Sequence, residues 1–205
     1  MQRYLVYLAG TLTILMVLAC GCTSSSASAE PAPAPVAVVP AGTVPVAGAA
    51  SGAHSLTLKV GDLTSGSQLP DIYTCKGASE SPGIAWDGIP EGTKSLVLIL
   101  DDPDAPAGTF THWILYNIPP TKGSLAPAQT NAKVLANGAQ QGDTSAGFRG
   151  YYPVCPPIGS THRYVFSLYA VDREIAQPTA NRESIDWALD GHTIAKTELV
   201  TTFTR

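Results

Sequence analysis

Alternation of apolar and polar residues marks most of the elements in this chain. Ser55-Leu56-Thr57-Leu58-Lys59-Val60 sets Leu56, Leu58 and Val60 on one face, as a half-buried strand does, and Gly61-Asp62 ends it. Gln68 to Cys75 predicts a second extended piece, and Ile84-Ala85-Trp86 a short strand closed by the turn signal Asp87-Gly88. Ser95 to Leu100 is an unbroken apolar run, which predicts a central strand covered on both faces. It leads into Asp101-Asp102-Pro103-Asp104-Ala105-Pro106, and a further strand runs from His112 to Ile118, stopped by Pro119-Pro120. Residues 121–150 lack apolar pairs and predict a long loop with at most a short strand. Tyr164 to Asp172 is a clear strand, preceded by the stiff segment Gly150 to Pro157. Arg182 to Ala195 predicts a helix, with Ile185, Ala188, Leu189 and His192 on one face and a break expected at Gly191. Glu198 to Phe203 is β-like. Short strands, a single late helix and no βαβ alternation predict a mostly β fold, an antiparallel sandwich or Greek-key arrangement with one or two peripheral helices.

The first residues follow a different pattern. Arg3 precedes an apolar run from Leu5 to Ala19, which is 15 residues and short for a membrane span of ~20. The run ends in Leu18-Ala19-Cys20-Gly21-Cys22 with serines behind it, which resembles a prokaryotic lipoprotein signal. Either Cys20 or Cys22 is the acceptor. Parity favours Cys22, because cleavage there leaves only Cys75 and Cys155, whereas cleavage before Cys20 strands an odd thiol outside the cytosol. The expected organisation is therefore a signal at 1–22, an Ala/Pro/Ser-rich tether at 23–53 and a folded domain at 54–205. The tether buries too little to order itself and, as a flexible coil of ~31 residues, spans roughly 30 Å.

Charge narrows the function. The net charge is −4 and the few basic residues are scattered, so no basic patch points to nucleic acid. Gly (19) and Pro (17) are frequent while charged residues make up 14%, a balance that suits a turn-rich β domain better than a helical bundle.

The candidate chemistry lies where the apolar run meets Asp101, Asp102 and Asp104. Carboxylates at the end of a core strand are costly unless exposed or hydrogen-bonded. His112 opens one following strand and His162 opens another. If those two strands are sheet neighbours, both imidazoles meet the Asp cluster. A carboxylate then charges an imidazole that grips an anion, or two His and two Asp bind a metal. No HxH or HExxH spacing supports the metal, and no GxSxG or GK[ST] marks a nucleophile or a phosphate loop. Cys75 and Cys155 are either a disulfide, which export permits, or two separate buried thiols.

Asp102-Pro103-Asp104-Ala105-Pro106 with His112-Trp113, then Pro156-Pro157 with Gly159 and His162-Arg163-Tyr164, resemble the two signature regions of the phosphatidylethanolamine-binding protein family, which includes the Raf kinase inhibitor proteins. Tyr73-Thr74-Cys75-Lys76-Gly77, the Trp86 to Leu96 stretch and Gly191-His192 are similar to its bacterial and archaeal branch, so the resemblance spans roughly 54–205. Three places depart from the family's pattern. Pro153-Val154-Cys155 stands where Gly-Pro-Cys is common. Thr144-Ser145-Ala146-Gly147 replaces Asn-Asp-Phe-Gly, and Val200-Thr201-Thr202-Phe203 replaces Val-Gly-Thr-Tyr.

The resemblance implies an antiparallel sandwich with peripheral helices and a small pocket for phosphate, phosphorylated head groups or similar oxyanions. It sets Asp102, Asp104, Pro106, His112 and His162 on pocket positions, with Phe110, Tyr152, Cys155 and Tyr164 as walls. In the expected roles Asp102 orients and charges His112, and His162 donates to the anion. The expectation is an exported, membrane-tethered binding protein that modulates a protein partner of unknown identity. It is not an enzyme and uses no cofactor or metal. The alternatives are an inhibitor of an extracytoplasmic hydrolase and a metal-assisted phosphoester hydrolase. Oligomeric state is open, a homodimer included.

Overall fold

The computed structural model describes residues 55–176 and 180–205; the expected signal, its Cys20 and Cys22, and the whole of the tether at 23–53 lie outside them. Among the described residues eight strands form two sheets: β1 Thr57–Val60, β2 Ile84–Asp87, β3 Ser95–Asp102, β4 Phe110–Ile118, β5 Gly123–Leu125, β6 Gln140–Gln141, β7 Thr161–Val171 and β8 Thr193–Thr204. One sheet has the order β1-β2-β5 and the other β6-β4-β3-β7-β8, with every pairing antiparallel.

β3 is the middle strand, and its unbroken apolar run follows from covering both faces. Leu96, Leu98 and Leu100 point into the core between the sheets, with Trp113, Leu115 and Phe166 beside them and Val60, Ile84 and Trp86 across from them. The alternate residues Val97 and Ile99 point the other way, where they meet Ile185, Ala188 and Leu189 of the helix α1, Arg182–Leu189. Each fully buried Leu or Ile side chain of this strand contributes roughly 1.5–3 kcal/mol of apolar stabilisation.

Two local expectations change. α1 stops at Leu189, and the second half of the predicted helix is the start of β8. Asn181 caps the helix by accepting from the Ser184 N–H (2.9 Å), and Ser184 returns the bond to the Asn181 N–H (3.0 Å). Gly191 adopts φ +70, a left-handed turn that a helix cannot continue through. His192 therefore leaves the helix face and donates to Asp172 instead (2.8 Å). The extended piece expected at Gln68 to Cys75 holds only bridges at Gln68 and Thr74 around a 3-10 turn, Asp71–Tyr73, entered through Pro70. The long loop at 121–150 contributes two short strands, β5 and β6, rather than one.

Candidate functional site

β3 delivers its carboxylates to one end of the inter-sheet core, and each meets its own donor. Asp101 faces the helix side, where it accepts from Thr111 Oγ1 (2.7 Å) and Arg182 Nε (3.2 Å). Asp102 faces the core side and is buried. Its Oδ2 accepts from His162 Nδ1 (2.7 Å) and its Oδ1 from the Asp104 N–H (2.9 Å). Asp104 takes a fork from Arg163, Nε at 2.9 Å and Nη2 at 2.7 Å, plus the Arg163 N–H at 2.8 Å. The Arg163 side-chain bonds hold the Asp104 carboxyl at about 2, well below its usual range.

The histidine-bearing strands are not sheet neighbours. β3 lies between β4 and β7, so the two imidazoles reach Asp102 from opposite sides of the strand that carries it. A β-bulge completes the arrangement. The β3–β4 register passes from Leu100↔Trp113 to Asp101↔Thr111, which makes His112 an extra residue of β4. In a regular strand His112 and Trp113 would face opposite sides; the bulge re-aims the imidazole toward the face that Asp102 and its partner Phe110 share.

The role expected of Asp102 moves accordingly. Its carboxylate bonds His162, not His112. His112 donates Nδ1–H to the Tyr152 carbonyl (3.0 Å), and the Tyr152 N–H returns to the His112 carbonyl (2.8 Å). Burial pushes the His112 pKa below its ordinary value, against the opposing pull of the Tyr152 carbonyl and Asp102. His112 is thus a neutral ring at pH 7, not the charged one expected. In both histidines the nitrogen held by these bonds is Nδ1, so a ligand in the cleft would meet Nε2; the Pro153 carbonyl also lies near the His112 ring and pulls its pKa up.

Around these groups lies a cleft of about 490 Å3, within the ~300–1,000 Å3 of small-molecule sites. Asp102, Pro106, Phe110, His112, Tyr152, Cys155 and His162 all line it. Asp104 and Tyr164 do not. Asp104 is turned to Arg163, and Tyr164 is fully buried, with its ring edge-on to His112 at 5.6 Å. Burial, with the Asp102 carboxylate beside it, raises the pKa of the Tyr164 hydroxyl, so it stays protonated. Cys155 is bonded to Cys75 with Cα atoms 5.4 Å apart, so the wall offers no thiol. Phe110 and Tyr152 make an aromatic rim, with centroids 5.8 Å apart.

Pro153, Pro156, Pro157, Ala105, Ala146 and Arg205 also line the cleft without having been expected there. Arg205 carries no motif; only its place two residues after Phe203 along β8 could have suggested it. Among the described residues no three His, Cys, Asp or Glu side chains gather in a metal-holding arrangement. A second hollow, about 390 Å3 on the three-stranded sheet, includes Asp87 and Lys122, which pair at 2.5 Å, and contains no histidine.

A family model described as phosphatidylethanolamine-binding protein matches residues 59–204. The chain belongs to this family. Family relatives include a UPF0098 protein of Methanothermobacter thermautotrophicus, 40% identical over 73% of this chain and 99% of that protein. The crystal structure of a phosphatidylethanolamine-binding protein homologue from Chlamydia trachomatis has TM-score 0.67 and 35% identity, covering 74% of this chain and 99% of that one. LppC of Mycobacterium tuberculosis, which carries a lipoprotein name, is 39% identical over 64% of this chain and 63% of its own length. The two sheets and single helix described above are the family's mostly β architecture.

Proposed function

We propose that this protein is an exported, membrane-tethered binding protein, not an enzyme, whose cleft at Asp102, His112 and His162 holds a small phosphorylated or other anionic ligand. The carrying observation is that both imidazoles are anchored through Nδ1, His162 on a carboxylate and His112 on a carbonyl, so that both Nε2 atoms remain for one ligand. A neutral His112 Nε2 is an acceptor, so it suits a ligand that brings a donor, such as the P–OH of a phosphomonoester in its monoanionic form, which predominates below its second pKa of ~6. The carboxylates that would repel an anion are each bound to a cation or an imidazole. Among the described residues the lining holds no serine, threonine or free thiol that could act as a nucleophile. Export is supported by the Leu5–Ala19 run with Cys20 and Cys22, by the Cys75–Cys155 bridge and by the lipoprotein name of a relative.

Calorimetry with phenyl phosphate tests this reading on wild type and Asp102→Asn. The wild type binds one equivalent, and the variant, which removes the carboxylate charge that holds His162 and keeps only a neutral amide oxygen to accept from its Nδ1–H, binds about tenfold more weakly, the scale of a charge-assisted against a neutral hydrogen bond. Tighter binding by the variant would show that Asp102 opposes the ligand rather than serving the imidazole. Absence of wild-type binding to phosphate, phosphomonoesters and carboxylates alike removes the proposal.

A further inference from the structure

Arg205 lines the cleft beside His162, and strand parity explains why. β7 and β8 pair Thr161 with Thr204 and His162 with Phe203. The pairing continues one residue further. The Arg205 N–H donates to the Ser160 carbonyl (3.3 Å), and the Arg205 carbonyl accepts from the Gly159 N–H (2.7 Å). Side chains alternate across a strand, so Arg205 shares its face with Phe203, and Phe203 stands directly opposite His162 on that same face. Arg205 is therefore delivered to the histidine side of the ribbon by geometry, with no local motif.

A count of charges sets it apart. Asp101 is paired with Arg182, Asp102 with His162, and Asp104 with Arg163. A protonated His162 is balanced by its own Asp102, and His112 is buried against a carbonyl. Arg205 has no acidic side chain within ion-pair distance among the described residues. Lys76 adds to the positive field at the same corner, its Nζ donating to the Thr204 carbonyl (3.0 Å), but it does not line the cleft.

We infer that Arg205 is the anion-docking cation of the cleft, its guanidinium taking the charged end of the ligand while Phe110, Tyr152 and the prolines take an organic substituent. A planar fork of N–H donors fits phosphate or carboxylate oxygens in pairs, which an imidazole cannot do. A bare oxyanion would fill only part of a 490 Å3 cleft rimmed by Phe110 and Tyr152, which favours an organic phosphate or carboxylate. This inference rests on the anion-binding reading above and adds the source of its charge.

The test is a titration of the full chain in detergent with phenyl phosphate and with inorganic phosphate, at low and high NaCl. Wild type, Arg205→Gln, Arg205→Lys and, as a control, Lys76→Gln are compared. Arg205 is exposed and follows the last residue of β8, so unchanged melting of each variant is expected and checked. Arg205→Gln weakens both ligands about tenfold and loses most of the salt dependence. Arg205→Lys falls between, keeping the charge without the fork, and Lys76→Gln stays within about twofold because its charge is screened at the surface. In the wild type phenyl phosphate binds more tightly than inorganic phosphate. Wild-type binding with unchanged affinity in Arg205→Gln overturns the role of Arg205 alone. No wild-type binding overturns the anion-binding reading and this inference with it.

Discussion

Breaking the Cys75–Cys155 bridge should cost much stability and little affinity. The bridge closes a loop with a sequence separation of 80, for which the chain-entropy relation gives about 4.5 kcal/mol at 25 °C. For a domain of this size each kcal/mol moves the midpoint by about 2–4 °C, so the expected fall in Tm is roughly 9–18 °C. Cys155 sits in the cleft wall, yet three other bonds hold that wall in place. The Tyr152 N–H donates to the His112 carbonyl (2.8 Å), His112 Nδ1–H to the Tyr152 carbonyl (3.0 Å), and the Cys75 N–H to the Val154 carbonyl (3.0 Å). At ~1 kcal/mol each these bonds keep the wall seated without the sulfur link, so affinity for phenyl phosphate at 20 °C changes by no more than about threefold. Differential scanning calorimetry of oxidised protein, reduced protein and the Cys75→Ser/Cys155→Ser variant measures the first quantity, and titration of the same samples measures the second. A stability loss under ~1 kcal/mol would refute the loop-closure account. Loss of affinity in a variant that is still folded would show that the bridge itself shapes the wall.

Three further outcomes are expected. His112 has a folded pKa depressed by burial, so the folded chain binds fewer protons than the unfolded one below ~6.5; its stabilising contribution is complete above that pH and is lost as pH falls toward the depressed value. Melting curves from pH 7.5 down to 5 should therefore decline more steeply in wild type than in His112→Asn, and parallel curves would contradict it. Carboxyl NMR should find Asp104 titrating at about 2, and Arg163→Gln should return it toward the ordinary carboxylate range. Cys22→Ser should abolish incorporation of labelled palmitate while Cys20→Ser retains it, and the opposite pattern moves the anchor to Cys20.

Much of this site was legible because its parts are local. The Ser95–Leu100 run announces a strand covered on both faces, and β3 is that strand. Asp102, Pro106, His112 and His162 stand out by residue type and spacing, and all reach the cleft. What was not legible depends on partners distant in sequence. Which imidazole Asp102 binds follows from the order β4-β3-β7, and strand order leaves no mark on any one segment. The Thr193–Ala195 stretch continues a helical apolar period, but β7 offers it a ladder of hydrogen bonds, and pairing overrides local pattern. Asp104 carries the same signature as Asp102 yet turns away, because Arg163 on the neighbouring strand offers a fork. Arg205 follows from pairing that continues past Thr204.

The bulge at His112 has a genetic consequence. Thr111 and Trp113 already pair with successive residues of β3, so excising residue 112 would join them into a regular ladder with every other cross-strand partner unchanged. The ring thus sits on a residue that the β3–β4 ladder does not need, although its excision would also remove both bonds to Tyr152. A single in-frame deletion would therefore remove this half of the cleft while the β3–β4 register around it is kept, at the expense of the contact with Tyr152.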